Sequence, residues 1–452
     1  IANRGEIALR IVRAARERHG REAAPAIDRE RETDVGYYLI GKGRRLLEKS
    51  MRCRVSYRDR FFRAYASRTA LAYVGTVTIA TAVILAIPLG FSGSHGMSLL
   101  GIIAFAIIAL IPASDLAMSL VNRLVMKLVG PRLLPKLDFS KGIPADFRTL
   151  VAMPVLLIDH CSLRENLKHL EMHYLSHSEG HLQFGLLTDW ADAPEEHVPG
   201  DDGLLDAAAQ GIERLNELYG PCPGGDQPRF FLFHRRRLWN AKEGVWMGWE
   251  RKRGKLHELN RLLRGSNETT FMRVSGKSVV PENIRYVITL DADTRMSYGT
   301  AYRLAGAMAH PLNRPRLDET TARIVEGYGI MQPRITPTLP AVGNGSWYQR
   351  IFSGPAGVDP YAFAVSDVYQ DLFGEGSFTG KGIYDVDAFE AALKGRIPEN
   401  SVLSHDLLEG IYARAGLVTD IEFFEEFPLH YDMAVTRAHR WARGDWQLLP
   451  WI

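Results

Sequence analysis

Two aspartates one residue apart, Asp291 and Asp293, close the apolar run Val287-Ile288-Thr289-Leu290. Carboxylates at the end of a strand can share a hard divalent cation with a diphosphate. Mg2+ in particular suits one or two protein carboxylates plus phosphate oxygens. Ordinary surface loops also supply the Asp-x-Asp tripeptide, and it is the strand before it that favours the metal reading. Farther on, Asp406 in Ser404-His405-Asp406 precedes Leu407-Leu408-Glu409-Gly410, which reads as the start of a helix. A carboxylate there can act as a general base toward a hydroxyl. It can equally be a helix N-cap, and one residue can do both. A third element runs from Arg437 to Gln447 and contains Arg440 and Trp441. Arginines recognise phosphate through paired donors, and a tryptophan face suits stacking on a sugar ring. The same basic, aromatic helix could also lie on a membrane surface.

These residues need a scaffold, and the chain supplies its pattern. Thr149 to Ile158 reads as a buried strand, followed by a helix holding Leu163, Leu167 and Leu170. Phe184 to Asp189 and Tyr286 to Leu290 read as strands that each end in a carboxylate, and Tyr328 to Pro333 as one more. Helical stretches lie between them, so the expected fold class is α/β with a largely parallel sheet. Ligands bind such sheets outside the carboxyl ends of the strands, where Asp189 and Asp291 are predicted to emerge.

Upstream, Ala70 to Phe91 and Met97 to Val121 are apolar enough, and long enough at about 20 residues, to cross a bilayer as helices. The linker Ser92-Gly93-Ser94-His95-Gly96 is uncharged, while Arg123, Lys127, Arg132 and Lys136 follow the second span. Lys42, Arg44, Arg45, Lys49, Arg52, Arg54, Arg58, Arg60, Arg63 and Arg68 precede the first, opposed only by Glu48 and Asp59. Such a cluster can serve as a nucleic-acid arm, but running straight into an apolar span it reads as a cytoplasmic juxtamembrane collar that meets membrane lipid, with no nucleic acid. The expected topology is a hairpin with both ends in the cytoplasm; a buried helical hairpin of a soluble protein is the competing reading. Asp115 inside the second span is unusual and draws functional suspicion. The expected division is an N-terminal segment of doubtful origin (1–34), a basic region (35–69), two transmembrane helices (70–121), a linker (122–148) and a catalytic domain (149–452). With 46% hydrophobic and 24% charged residues the chain is a folded one, and its net charge of +3 says little because the basic excess is local. Three cysteines, Cys53, Cys161 and Cys222, match no ligand or redox spacing and read as free thiols.

The order Asp189, Asp291-x-Asp293, Asp406 and Arg437-x-x-Arg440-Trp441 resembles the processive family-2-type glycosyltransferases, cellulose synthase among them. Long runs resemble the bacterial cyclic β-1,2-glucan synthases more closely: Trp246 to Leu256, Ile288 to Arg295, Gly374 to Tyr384 and Val402 to Gly410. The resemblance covers roughly residues 35 to 452. It implies a GT-A-like domain behind a transmembrane hairpin, in the bacterial inner membrane as a multi-pass protein with a cytoplasmic catalytic domain. It implies inverting transfer from UDP-glucose to a growing β-1,2-glucan acceptor, with Mg2+ or Mn2+ as cofactor. By position, Asp189 would hold the uridine and Lys255 approach the phosphates. Asp291 would contact the nucleotide and Asp293 the metal. Phe378 and Gly380 would belong to the acceptor-side wall, Asp406 would be the base, Arg440 would steady the diphosphate, and Trp441 would stack under the terminal sugar. Two positions depart from the cellulose synthases: Ser404-His405-Asp406 stands where they have Thr-Glu-Asp, and Arg437 where they have Gln. Relatives continue into further membrane helices and a phosphorylase-like domain, so this chain reads as a fragment. Residues 1–20 resemble the start of biotin carboxylases, yet nothing after them continues in that way. A processive synthase of another β-glucan is the alternative within enzymes. An inactive membrane scaffold would need a lost Asp293, Asp406 or Trp441, and all three are present.

Overall fold

The computed structural model describes residues 26–57, 60, 63–65, 68–223, 225, 227–272, 280–338, 345–353, 367–398 and 405–451. The biotin-carboxylase-like residues 1–20 and Ser404 lie outside them. The chain divides into two compact units: residues 38–133 with 365–376, and the remainder.

The larger unit is mixed α/β. Its strands are β1 (Thr149–Leu157), β2 (Leu182–Trp190), β3 (Phe230–Arg235), the hairpin β4 (Leu238–Asn240) and β5 (Val245–Met247), β6 (Phe271–Met272), β7 (Tyr286–Thr289) and β8 (Arg295–Met296). They continue with the ribbon β9 (Arg316–Asp318) and β10 (Arg323–Glu326), then β11 (Ile330–Thr338), β12 (Gly382–Asp385) and β13 (Ala415–Glu426). Among the described residues the main sheet has nine strands in the order β6-β3-β2-β1-β7-β12-β11-β13-β8. β3, β2, β1 and β7 are mutually parallel, as are β11 and β13; β12 runs antiparallel to both its neighbours, and the short edges β6 and β8 are antiparallel.

Why these segments are strands follows from their burial. Every residue of β2 and of β7 is buried, which is the near-continuous apolar reading of strands covered on both faces. Alternation then sorts side chains into two cores. Val151, Met153 and Val155 of β1 pack on one face with Leu163, Leu167 and Leu170 of the His160–Leu175 helix. Leu150 and Ala152 pack on the other with Leu256 and Leu259 of the Arg251–Leu263 helix. The His160–Leu175 helix starts where Asp159 caps it, accepting from the Cys161 and Ser162 amides at 2.8 Å each. The predicted strand pattern is therefore observed; Tyr328 and Gly329 fall just before β11, which extends instead to Thr338.

The smaller unit is built on two apolar helices, Thr69–Ser94 and Leu99–Val129. At 1.5 Å per residue the shorter spans about 39 Å, enough for a ~30 Å hydrocarbon layer. Their side chains are largely uncovered: Leu71, Ile87, Leu100 and Ile111 are each more than 70% exposed. That exposure favours association with a membrane over a buried hairpin. Tyr73 donates to the Asn122 carbonyl at 2.6 Å, tying the helices together where both turn polar.

Candidate active site

At the carboxyl end of β2, Asp189 stands in register with Arg235 of β3. Arg235 donates from Nε to Oδ1 at 2.7 Å and from Nη2 to Oδ2 at 2.9 Å, and from Nη1 to Glu258 at 3.0 Å. Lys255 Nζ lies 3.0 Å from Asp189 Oδ2 and donates to the carbonyls of Val155 and Leu187. All four side chains are buried. Burial pushes the Asp189 carboxyl up, but Lys255 and Arg235 outweigh it and hold it below the usual carboxylate range. Burial brings Lys255 down to about 8. Such a paired, hydrogen-bonded network is costly to break by removing one member. The Lys255 ammonium has three acceptors for its three protons, so in this arrangement its charge is committed to the floor beneath the strand ends.

In the first turn of the same helix stands Lys252, half-buried. Its Nζ donates to Asp291 Oδ1 at 2.5 Å and to the Gly380 carbonyl at 2.7 Å. Asp291 leaves the end of β7, and its Oδ2 lies 3.3 Å from Lys381 Nζ, which also pairs with Glu425 of β13. Crowding around Asp291 pushes its carboxyl up, yet Lys252 and Lys381 prevail and hold it well below the usual range. Lys381 is in turn raised, its burial outweighed by Asp291 and Glu425. Thr294 accepts from the Asp291 amide at 3.3 Å and donates to Glu425 at 2.9 Å, closing a tight turn around the pair.

Asp291, Asp293 and Glu425 offer oxygens that lie within 4.8 Å of one another. Three carboxylates without a nitrogen or sulfur donor match the preference of Mg2+ or Mn2+. Asp293 is the least compensated member. Desolvation, then Glu425 and Asp291, raise its carboxyl against the pull of Lys381 and Arg437, and Arg437 Nη2 lies 4.0 Å away. A divalent ion would relieve that repulsion, so the residues present fit one.

Gly380 joins this cluster to Asp406. Its backbone is left-handed (φ +83°), and a Cβ there would meet the Asp406 Oδ2 at 2.9 Å. Asp406 is the first residue of the Asp406–Tyr412 helix; the N-cap position belongs to His405, whose side chain makes no cap bond. One turn on, Glu409 is buried, and burial together with Asp406 pushes its carboxyl to about 8. Phe378 is 3% exposed and belongs to the sheet's second core. Arg437, Arg440 and Trp441 are three and four residues apart on the Tyr431–Trp446 helix, a spacing that puts them on one face, the one where Arg437 meets Asp293.

The structure thus brings Asp291, Asp293, Gly380 and Asp406 together, with Arg437 at the rim and Asp189 and Lys255 in the floor. Sequence reasoning did not single out Lys252, Lys381, Glu425 or Glu409. Lys252 and Lys381 lie inside quoted runs, but nothing local says which of several cations faces the aspartates. Glu425 carries no signal, because it arrives on a strand far along the chain.

No family model matches the chain. It is 46% identical over 99% of its length to the cyclic beta-(1,2)-glucan synthase NdvB of Rhizobium meliloti (strain 1021). The chain spans about 15% of that relative's length. The runs quoted above as glucan-synthase-like therefore belong to a similarity that extends along nearly all of the chain.

Proposed function

The chain is homologous, from end to end, to one segment of a cyclic β-(1,2)-glucan synthase, and on that premise we propose that it is the catalytic part of a membrane glucosyltransferase of the GT-A type. The donor is UDP-glucose and the acceptor the growing β-1,2-glucan. One observation carries the reading: Gly380 abuts the Asp406 carboxylate on one side, while its carbonyl receives the Lys252 ammonium that holds Asp291 on the other. A candidate base and a candidate diphosphate site are thereby one residue apart.

In the reaction an acceptor hydroxyl oxygen bonds to the glucose anomeric carbon as the bond from that carbon to the diphosphate oxygen breaks. Asp406 takes the hydroxyl proton, and the electron pair leaves with UDP. Attack from the face opposite the leaving group inverts the anomeric centre. Lys252, Lys381, Arg437 and Arg440 supply positive charge where the diphosphate departs, and Trp441 offers a face to the terminal sugar. Asp291, Asp293 and Glu425 would hold Mg2+ or Mn2+, which supplies Lewis-acid neutralisation of the leaving diphosphate. Asp189 and Lys255 fix the strand ends against which the nucleoside would sit. Burial and the neighbouring Asp406 raise the Glu409 carboxyl, which favours the protonated form of Glu409 beside the proposed base.

The two apolar helices set this domain at a membrane. We place it on the cytoplasmic side of a bacterial inner membrane, where nucleotide sugars are made, with further membrane helices and a phosphorylase-like domain in the full-length protein.

Asp406→Asn tests the assignment. It keeps the side chain's size but removes the proton acceptor, and general-base loss typically costs ~10²–10⁴-fold in rate. Glucose transfer by detergent-purified protein should collapse by that factor while UDP affinity stays near normal, and linkage analysis of the wild-type product should show β-1,2 bonds. Near-normal transfer by the variant removes Asp406 from the mechanism.

A further inference from the structure

Behind the Asp291-x-Asp293 loop, on the face away from Lys252, the His160–Leu175 helix and the residues just past its end present a row of imidazoles. His169 and His173 are four residues apart on one face of the helix, and His177 follows two residues beyond its last turn. They meet the loop in order. His169 Nδ1 lies 3.2 Å from the carbonyl oxygen of Ala292, the residue between the two aspartates. His173 faces the backbone of Thr294, and His177 lies near that of Ser297, its Nε2 buried without a hydrogen bond. His177 also bonds through Nδ1 to the His173 carbonyl at 2.9 Å and packs edge-on against Tyr302, ring centroids 5.4 Å apart. His173 and His177 are buried, whereas His169, nearest the aspartates, is half-buried.

The chemistry of the first contact is fixed by its partner. A carbonyl oxygen can only accept, so His169 must carry its proton on Nδ1 and donate. That bond clamps the peptide plane between Asp291 and Asp293. On the opposite side Thr294 is bonded to Glu425 and to the Asp291 amide. The loop is thus held between β13 and the histidine row. Rotation of the Ala292 peptide would swing the two carboxylates in opposite senses, since they leave the backbone on either side of it.

We infer that His169, followed by His173 and His177, is a positioning residue that sets the spacing of the Asp291 and Asp293 carboxylates and so the affinity of their cation site. The inference rests on the reading of those carboxylates as a cation site. None of the three histidines touches donor or acceptor; each acts through the loop backbone. Outer-shell partners of this kind typically change metal affinity by 10–100-fold when removed.

The test uses the full chain in detergent, with Mn2+ alone as the probe and its dissociation constant read by electron paramagnetic resonance. His169→Ala should weaken Mn2+ binding about 10-fold, with little change in the thermal midpoint, because the side chain is only half-buried. His169→Asn, whose amide nitrogen sits close to the position of Nδ1, should recover most of the loss. Backbone amide exchange in residues 291–297, followed without metal, should accelerate in the alanine variant and return toward normal in the asparagine variant. Asp293→Asn keeps the two readings apart. If it abolishes Mn2+ binding while His169→Ala leaves binding unchanged, the histidine row does not set the site and the inference falls. If Asp293→Asn itself leaves Mn2+ binding unchanged, the cation reading falls. Loop exchange then decides whether the row holds the loop, and unchanged exchange in His169→Ala overturns that as well.

Discussion

Replacing Gly380 by alanine separates two effects that coincide at one residue. The backbone there is left-handed, φ +83°, and a Cβ in that region costs roughly 1–2 kcal/mol. The same Cβ would stand 2.9 Å and 3.0 Å from the two oxygens of Asp406, about 0.5 Å inside comfortable contact. A carboxylate at the end of a short side chain can swing away from such an intrusion, so the clash should appear in catalysis more than in stability. Gly395 provides the comparison. It has φ +70° and nothing within 4 Å of its added Cβ. Both variants should therefore lose a similar ~1–2 kcal/mol of stability. Misplacing a reacting group by 1 Å costs on the order of 10²-fold, so a displacement of half that size should lower kcat about 10-fold in Gly380→Ala. Gly395→Ala should turn over normally. The assay is initial-rate glucose transfer from UDP-glucose by the two purified proteins, corrected for the folded fraction, with UDP affinity measured in parallel and expected to be unchanged. Equal kcat values for the two alanine variants would refute the placement of Asp406 against Gly380.

Four further outcomes are expected. Lys252→Ala removes the ammonium shared by Asp291 and the Gly380 carbonyl, and should weaken UDP binding measured by calorimetry; unchanged affinity would exclude Lys252 from the diphosphate site. Glu409 has its carboxyl raised from 4.5 to about 8, so the fold favours its protonated form: the stability it contributes is full below about pH 4.5 and lost as pH rises through 8. Glu409→Gln should flatten the fall of the thermal midpoint over that window, and an unaltered profile would contradict the assignment. His173, His234 and His405 are lowered from 6.5 to about 4 by burial, so the stability tied to their neutral forms is present above pH 6.5 and lost as pH falls toward 4; His234→Gln should lose less of its midpoint on acidification over that range than the wild type, and an equal loss would contradict it. Reporter fusions should place Ser94 on the periplasmic side and Asp138 in the cytoplasm, and periplasmic activity at Asp138 would overturn the hairpin topology.

What could be read from the sequence was local and periodic. The apolar run of β1 and the Leu163, Leu167, Leu170 spacing of the following helix are one-dimensional patterns, and the structure puts each on the expected face. The two apolar spans were legible for the same reason, although the second helix runs on to Val129, past the point where apolar composition ends. Asp291 and Asp406 could be singled out because each sits at a recognisable junction of strand or helix. The partners of Asp291 could not. Glu425 and Lys381 approach it only because β13 and β12 take particular places in the sheet, and strand order is not encoded in a strand's own pattern. Lys255 illustrates the converse. The resemblance assigns it to the phosphates, and no local pattern shows that its turn of the helix faces inward, where three acceptors meet it.

The reversed strand β12 has a consequence for how the chain folds. β3, β2, β1 and β7 can assemble from contiguous chain, but β7 then ends as an edge, its Tyr286-Val287-Ile288-Thr289 backbone open until Gly382–Asp385 arrives to pair with it. A nascent chain at that stage carries both aspartates of the loop but neither Lys381, Asp406 nor Glu425. An apolar edge left waiting for a distant segment invites pairing with another chain, and long-range pairings are slow to form. In refolding or cell-free synthesis, far-UV circular dichroism should therefore recover before transferase activity, and aggregation should be greatest for chains halted between β7 and β12.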